Sequence, residues 1–226
     1  MKRLSVLLIG LMLLAAFVTT TAASAAKIKY QGIFVPQEYV NKFEPSPYDK
    51  QALRWIRPGY DHAKYSKFMV DYVVFALAPD SDYKGIDADE MKQLADAASL
   101  AVVNAIQEKY SVVSEPGPDV ARVRFAIVDL KQSRPGVSAV TSVVPAGIGI
   151  SLLKKGATGK WAGSGMTKGE VMVLDSTTNE VLAAGYADYT AKFTERFSKW
   201  GSVEEAFKYW GGMIADQLTR LREGKQ

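Results

Sequence analysis

The spacing of apolar residues along the chain predicts two long helices. In residues 88–109 and again in residues 202–222, apolar side chains recur every three or four positions, so each helix has one face to bury. Asp87 and Ser202 are predicted to cap these helices, because a glutamate three residues later can complete a capping box. The apolar positions are Met91, Leu94, Ala98, Val102 and Ile106 in the first helix, and Val203, Phe207, Trp210, Ile214, Leu218 and Leu221 in the second.

Shorter apolar stretches, several of them alternating with polar residues, predict the strands of one sheet. These stretches are residues 67–77, 111–114, 121–131, 165–175 and 180–190. The polar residues between the last two stretches have the length and composition of a hairpin turn. We therefore predict an α+β fold, with a mainly antiparallel sheet of about four strands and two helices on one face.

Residues 26–66 show neither period and contain four prolines. They are also rich in aromatic residues, which a disordered tail would lack. We predict an irregular, aromatic-rich strap that lies over the core, with a short helical turn at Tyr48–Trp55. Residues 67–226 are predicted to form a single α+β domain, because the chain shows no internal repeat and no dividing linker.

The first 25 residues have the parts of a secretory signal peptide. The basic pair Lys2-Arg3 precedes an apolar stretch at residues 4–18, and Ala23-Ser24-Ala25 provides a cleavage sequence. A retained membrane anchor is the alternative, but the apolar stretch is short for a span of about 20 residues. We predict that the mature chain begins at Ala26 and lies in the periplasm, either soluble or peripheral to the outer membrane.

The composition excludes several classes of function. The chain has no cysteine, which excludes disulfides, cysteine-ligated metal centres, a thiolate nucleophile and a lipidated N-terminal cysteine. The formal net charge is +4, and loss of Lys2 and Arg3 with the signal peptide leaves +2. We predict no nucleic-acid partner, because phosphate-driven binding needs a strongly basic face.

Two stretches imitate ligand-binding motifs without completing them. In residues 142–161, Lys154 stands where a P-loop needs its first glycine, and Trp161 stands where it needs serine or threonine. In the acidic loop that begins at Asp80, Lys84 and Met91 occupy positions where a calcium site needs oxygen ligands. We therefore predict no cofactor and no metal site, and we interpret the acidic loop as a solvated turn before a helix.

Few side chains could support hydrolysis. His62 is the only histidine and lies in a polar loop, so we expect it to be exposed or lightly packed. A pair of carboxylates could act without a histidine. The acids on or beside predicted strands are Asp71, Asp129, Asp175 and Asp188. The sequence does not show whether two of them meet, so no catalytic residue is assigned.

Several sequence blocks carry a resemblance to a known family. They are LDSTTNEVLAAGYADY and KWGSVEEAFKYWGGMIADQL in the final third, with RPGYDHAKYSKFMVD, VVSEPGPDVARVRFAIVDL and VVPAGIGI before them. Together, over residues 45–222, they resemble the bacterial envelope family of domain of unknown function 3313. The resemblance implies a secreted or lipoprotein-like α+β envelope protein of unassigned activity. The chain departs from the family by lacking the lipobox cysteine common among its members, so a lipid anchor is not expected.

The uncharged stretch Pro135 to Leu153 is the candidate contact surface. Pro145, Gly147 and Gly149 argue against a lone membrane-spanning helix there. We interpret the stretch as a connection between two strands that either packs on its own domain or contacts a second copy, an envelope protein or a membrane surface. The candidate contact residues are Val143, Val144, Pro145, Ile148, Ile150, Leu152 and Leu153.

Two hypotheses of function remain open at this level. The first is a non-enzymatic periplasmic or envelope-associated module that docks on a partner, itself or a membrane through residues 135–153. The alternative is a periplasmic hydrolase or small-ligand-binding protein, which needs a pocket with convergent polar groups. A pocket that gathers two carboxylates or His62 would favour the enzyme. Light scattering and liposome flotation of a variant lacking residues 138–153 would test the docking hypothesis.

Overall fold

The computed structural model describes residues 30–77, 79, 86–133, 165–192 and 200–224. The elements described below belong to one compact unit, Gln31–Gln226. The helices are α1 (Gln37–Val40), α2 (Ala88–Gln107) and α3 (Gly201–Arg222), with a 3₁₀ turn at His62–Lys64. The strands are β1 (Glu44–Pro45), β2 (Ala52–Ile56), β3 (Lys67–Val70), β4 (Val74–Phe75), β5 (Ser111–Val112), β6 (Val120–Lys131), β7 (Met166–Asp175) and β8 (Val181–Thr190).

Within these described ranges, eight strands form one mixed sheet. Its order is β1-β2-β8-β7-β6-β3-β5, and β4 also pairs with β6. The pairs β1–β2, β2–β8, β8–β7 and β7–β6 are antiparallel. Strands β3 and β4 run parallel to β6, and β5 runs parallel to β3. The α+β class is therefore right, but the predicted sheet of about four strands with two helices is wrong, since the fold has eight strands and three helices in the part described.

Two of the additional strands come from the predicted strap. Residues 44–45 and 52–56 are β1 and β2, so this part of residues 26–66 is not irregular but forms one edge of the sheet. The helical turn predicted at Tyr48–Trp55 is wrong for the same reason. Strand β2 lacks a clear alternation because both of its faces are covered: Ala52 belongs to the main core, and Trp55 packs against Tyr39 of α1 with ring centroids 4.9 Å apart.

The single strand predicted at residues 67–77 is divided into β3 and β4. At the division, the Asp71 carboxylate accepts two hydrogen bonds from the Arg122 guanidinium, each 2.8 Å long. Two residues later, the Val73 N–H donates to the Ser99 hydroxyl of α2 at 3.0 Å instead of to a neighbouring strand. The ladder is interrupted at Val73, because the Ser99 hydroxyl offers this backbone N–H another partner.

Helices α2 and α3 pack side by side over one face of the sheet. Phe125 of β6 meets Phe207 of α3 edge to face, with centroids 5.4 Å apart, and Val102 and Ile106 of α2 are fully buried in the same core. In the described residues, no helix is both long enough and apolar enough to cross a membrane.

The two long helices begin differently. The Asp87 carboxylate accepts the Glu90 N–H at 2.8 Å, so the predicted cap of α2 is confirmed. Ser202 is not the cap of α3, because the helix already begins at Gly201. The Ser202 side chain is buried, and its hydroxyl accepts a hydrogen bond from the Thr167 hydroxyl of β7 at 3.2 Å. Ser202 therefore joins the helix to the sheet.

On the other face of the sheet, the residues that precede α1 bind a buried glutamate. Glu170 of β7 is fully buried, and its carboxylate accepts the backbone N–H groups of Ile33 at 2.9 Å and Phe34 at 2.8 Å. The N–H of Val35 donates to the same carboxylate. One glutamate in the middle of the sheet thus holds three successive amides of the N-terminal segment.

The neighbouring glycines in the middle of α3 have different surroundings. A methyl group on Gly211 would lie 3.0 Å from the Val102 carbonyl oxygen and 3.1 Å from the Val102 Cα, whereas a methyl group on Gly212 would meet nothing within 4 Å. Helix α2 therefore approaches α3 closely at Gly211.

We expect Gly212→Ala to raise the free energy of unfolding by about 1 kcal/mol, because alanine is the better helix former. Gly211→Ala should be less stable than Gly212→Ala by about 2 kcal/mol, because the α2 backbone must move to admit the methyl group. Urea unfolding of the two variants beside the wild-type protein measures this difference. Equal stabilisation by both substitutions would show that the α2 backbone shifts without lowering the free energy of unfolding.

Candidate functional site

An apolar cavity lies between the sheet and α3, partly open to solvent, with a volume of about 120 Å³. Strand β8 leaves room for it, because Ala183, Gly185 and Ala187 occupy alternate positions and line the cavity. Their partners on β7 include Gly169, which lies directly against the Trp210 ring of α3, so this side of both strands faces the helix. Small residues at three successive inward positions leave a space that larger side chains would fill.

The wall of the cavity is mainly apolar. Side chains from the sheet and from α3 contribute to it, among them Phe125, Val171, Val173, Ile214, Leu218 and Leu221. Among the described residues that line the cavity there is no aspartate and no glutamate. Such a surface favours apolar groups, because their transfer from water to the cavity removes apolar area from contact with water.

Two buried hydrogen-bond donors belong to this wall. The Trp210 indole N–H and the Gln217 side-chain nitrogen have no hydrogen-bond partner within the described structure. A buried donor without a partner costs about 1–3 kcal/mol. Two unpaired donors therefore lie in residues that line the cavity.

His62 also lines the cavity, from the 3₁₀ turn. Burial lowers its pKa from the usual value of 6.5, so the imidazole is neutral at neutral pH. Its Nε2 lies 3.3 Å from the Arg57 carbonyl oxygen. The expectation of an exposed or lightly packed histidine is only partly right, since His62 is half-buried and faces an apolar space.

The rim of the cavity carries two arginines around one aromatic ring. Arg54 of β2 and Tyr48 both line the cavity, and the Arg54 Cζ lies 5.3 Å from the centre of the Tyr48 ring. Arg220, in the last turn of α3, places its Cζ 3.8 Å from the same ring centre. Arg54 also donates a hydrogen bond to the side-chain oxygen Oε1 of Gln217, which connects β2 to α3.

The sequence of the chain matches the family described as protein of unknown function (DUF3313) over residues 29–214. The chain belongs to this family. The resemblance inferred from the sequence blocks is thereby confirmed. No curated protein matches this DUF3313 chain significantly in sequence.

Several solved structures resemble the DUF3313 fold at low sequence identity. The PelC dodecamer from Paraburkholderia phytofirmans matches with a TM-score of 0.39 and 12% identity, over 74% of this chain and 96% of that chain. Protein XCC0632 from Xanthomonas campestris, of the DUF330 family, matches with a TM-score of 0.36 and 10% identity, over 75% and 92%. A DUF4136 family protein from Bacteroides thetaiotaomicron gives 0.36 and 10%, over 75% and 98%. These values are too low for assembly or activity to be transferred to this chain.

The four acids singled out in the sequence do not form the cavity. Asp71 pairs with Arg122 and Arg124, and Asp129 pairs with Lys168 at 2.7 Å. Lys168 is paired in register with Asp129 on one side and Asp188 on the other, so these two acids flank one lysine across three neighbouring strands. The pairing with lysine indicates a structural ion pair on the sheet, not an acid–base couple in a pocket.

Asp175, at the end of β7, is the centre of a buried hydrogen-bond network. Its Oδ2 accepts from the Lys64 ammonium at 3.0 Å and from the Tyr65 hydroxyl at 2.8 Å. Its Oδ1 accepts from the Thr177 N–H and hydroxyl and from the Thr178 N–H, at 2.6 to 3.0 Å. Burial alone would raise the pKa of Asp175, but these hydrogen bonds outweigh it and hold the pKa well below its usual value.

The remaining sequence predictions fall outside the described residues. These are the signal peptide at residues 1–25, the incomplete P-loop motif at residues 142–161 and the contact residues Val143, Val144, Pro145, Ile148, Ile150, Leu152 and Leu153. Of the acidic loop, residues 80–85 also lie outside them, whereas Asp87 caps α2. Where the chain is described, no three histidine, aspartate or glutamate side chains come together as a metal site would require.

Ile214, Leu218 and Leu221 were expected on the buried face of the second helix, but neither the cavity nor its rim was predicted. The one local signal is the run of small residues at alternate positions of β8, since Ala183, Gly185 and Ala187 all point to one face. Arg54 and Arg220 carry no such signal, because each is an ordinary basic residue until the fold brings β2 and the end of α3 together.

Proposed function

We propose that this protein is a non-enzymatic, envelope-associated binding module that holds a small apolar ligand between its sheet and α3. The observation that carries the proposal is the cavity of about 120 Å³ whose wall is apolar. The predicted signal peptide supports the envelope location. The family, whose function is unknown, supplies neither a ligand nor a reaction.

The composition of the wall favours binding over hydrolysis. His62 reaches the cavity, but no carboxylate among the described residues lines it with His62. General acid–base catalysis by a histidine ordinarily needs a second group that orients the ring or shares the proton transfer. An imidazole on an apolar wall, bonded to a backbone carbonyl, does not meet that requirement.

The size of the cavity limits what enters it. Apolar cavities of about 150 Å³ bind molecules such as benzene or xenon. The cavity here, at about 120 Å³, therefore accepts a small molecule or the end of an alkyl chain of about six carbons. At about 0.8 kcal/mol for each buried methylene, such a chain end gives a Kd on the order of 0.3 mM.

We expect 1-octanol to bind the wild-type protein with a Kd on the order of 0.1–1 mM, measured by isothermal titration calorimetry. Ala183→Leu and Ala187→Leu each place a larger side chain in the cavity and should weaken binding by about tenfold or more. Ala88→Leu, an identical substitution at an exposed position of α2, is the matched control and should bind as the wild type does.

Thermal unfolding shows which of the two cavity variants remains folded, and one folded variant is enough for the test. Absence of octanol binding by the wild-type protein would overturn the proposal. Unchanged octanol binding by a folded cavity variant would overturn it as well, because the molecule would then bind elsewhere.

Docking on a second copy, an envelope protein or a membrane through residues 135–153 stays a prediction. The proposal above rests only on the cavity and does not depend on that stretch.

A further inference from the structure

We infer that the ligand of this cavity is an anionic amphiphile, whose carboxylate or phosphate head is bound by Arg54 and Arg220 while its alkyl end enters the cavity. The inference rests on the proposed function and adds the chemical class of the ligand. Nothing in the family description assigns a ligand or a site.

The shared contact with Tyr48 limits how far apart the two guanidinium groups can lie. Their Cζ atoms lie 5.3 and 3.8 Å from the centre of the Tyr48 ring, so they are at most about 9 Å apart. The positive charge of Arg220 also lowers the pKa of Arg54, so the two charges act on each other. A carboxylate or phosphate that accepts hydrogen bonds from a guanidinium lies about 4 Å from its Cζ, so one anion can bridge two arginines up to about 8 Å apart. Most of the range below the upper limit therefore allows such a bridge.

Neither arginine forms an ion pair with a carboxylate in the part of the chain that the structure describes. In the described structure, neither Arg54 nor Arg220 has a carboxylate oxygen within the 4.0 Å that defines an ion pair. Glu44 acts on Arg54 only at longer range. Burial lowers the pKa of Arg54, and the positive charge of Arg220 lowers it further. A bound anion would offset both effects.

Gln217 adds a neutral donor at the same place. Its side-chain oxygen accepts a hydrogen bond from the Arg54 guanidinium. This contact fixes the orientation of the side-chain amide, because the reverse orientation would set the amide NH₂ against the guanidinium N–H groups. Its side-chain nitrogen is buried and has no partner in the described residues. The rim thus offers two guanidinium groups, next to a buried amide nitrogen that has no partner in the described residues.

The head and tail regions are continuous. Arg54, Tyr48 and Gln217 all line the apolar cavity, and Tyr48 and Gln217 also line an adjoining cleft of about 440 Å³ that contains Arg220. Because the cavity and the cleft adjoin, an amphiphile can place its alkyl end among apolar side chains and its head at the arginines. The cleft also contains the acidic residues Glu108, Glu205 and Asp216, and Asp216 forms an ion pair with Lys109.

The test compares three probes of eight carbon atoms each, 1-octanol, octanoate and octyl phosphate, by isothermal titration calorimetry. We expect at least one anionic probe to bind the wild-type protein about tenfold or more tightly than octanol. Arg220→Gln should remove most of that preference and leave octanol binding within about twofold of the wild type, because Arg220 lines the adjoining cleft and not the cavity. Arg54→Gln should also remove the preference, but Arg54 lines the cavity, so only the ratio of anion to octanol affinity is compared for this variant. Arg222→Gln, on the same turn of α3 but exposed, removes an equal charge and should retain the preference.

The outcomes separate the two proposals. Octanol binding without an anionic preference, or a preference that Arg222→Gln reduces as much as Arg220→Gln does, would overturn the head-group assignment and leave the apolar site in place. Failure of all three probes to bind would overturn both. If octanoate binds more tightly than octyl phosphate, the head group is a fatty-acid carboxylate, and the reverse result assigns a phosphate such as that of a lipid. Either result supports the inference.

Discussion

Glu170→Gln is expected to lower the free energy of unfolding by about 3 kcal/mol and to release residues 33–35 from the sheet. The glutamine keeps the shape of the side chain but offers one oxygen in place of two, and its nitrogen is a donor that faces other donors. The buried carboxylate accepts the N–H groups of Ile33, Phe34 and Val35, and hydrogen bonds to a charged group contribute about 1.5–3 kcal/mol each.

Two measurements check this expectation. Urea unfolding gives the loss of stability, and hydrogen exchange gives the protection of the three amides. Glu180→Gln is the control, because the Glu180 side chain is 43% exposed in its pair with Arg57 and should change stability by less than about 1 kcal/mol. If the amides of Ile33 to Val35 remained as protected in Glu170→Gln as in the wild type, the carboxylate would not be what holds this segment.

Asp175→Asn is expected to lower the free energy of unfolding by about 3 kcal/mol at pH 7, because it leaves the Lys64 ammonium and the Tyr65 hydroxyl without their acceptor. The difference from the wild type should depend on pH. The folded-state pKa of Asp175 lies below the unfolded value of about 3.9, so its contribution is complete above that value and is lost as the pH falls below about 4.

Urea unfolding of both proteins between pH 7 and pH 3 measures this dependence. Asp96→Asn is the control, because Asp96 pairs with Lys92 on the exposed surface of α2 and should have a much smaller effect. A difference between Asp175→Asn and the wild type that stayed constant over this range would show that the network does not depend on an ionised carboxylate.

The elements with a strong local pattern were predictable from the sequence. Helix α2 was expected at residues 88–109 and is observed at Ala88–Gln107, and strand β6 was expected at 121–131 and is observed at Val120–Lys131. Strands β7 and β8 agree to within a residue as well. These segments have one buried and one exposed face, or a continuous apolar run, so their own residues carry the information.

The sheet edge and the N-terminal cover were not predictable in the same way. Strand β2 is covered on both faces by residues far away in the chain, and its own five residues show no strand period. Glu170 was assigned to an ordinary predicted strand, and nothing near it indicates a buried carboxylate. Its partners begin 137 positions away, at Ile33, so the burial of this charge depends on a contact that local patterns do not encode.

Residues close together in the chain were enough to predict the α+β class, the family, the two long helices with their buried faces and most of the central strands. The folded structure was needed to find the eight-strand sheet, the role of Glu170 and the cavity under α3 with its rim of Arg54, Tyr48 and Arg220. A cavity and a charge site arise from side chains of separate elements, and the distances between these elements are set by packing and not by spacing along the chain.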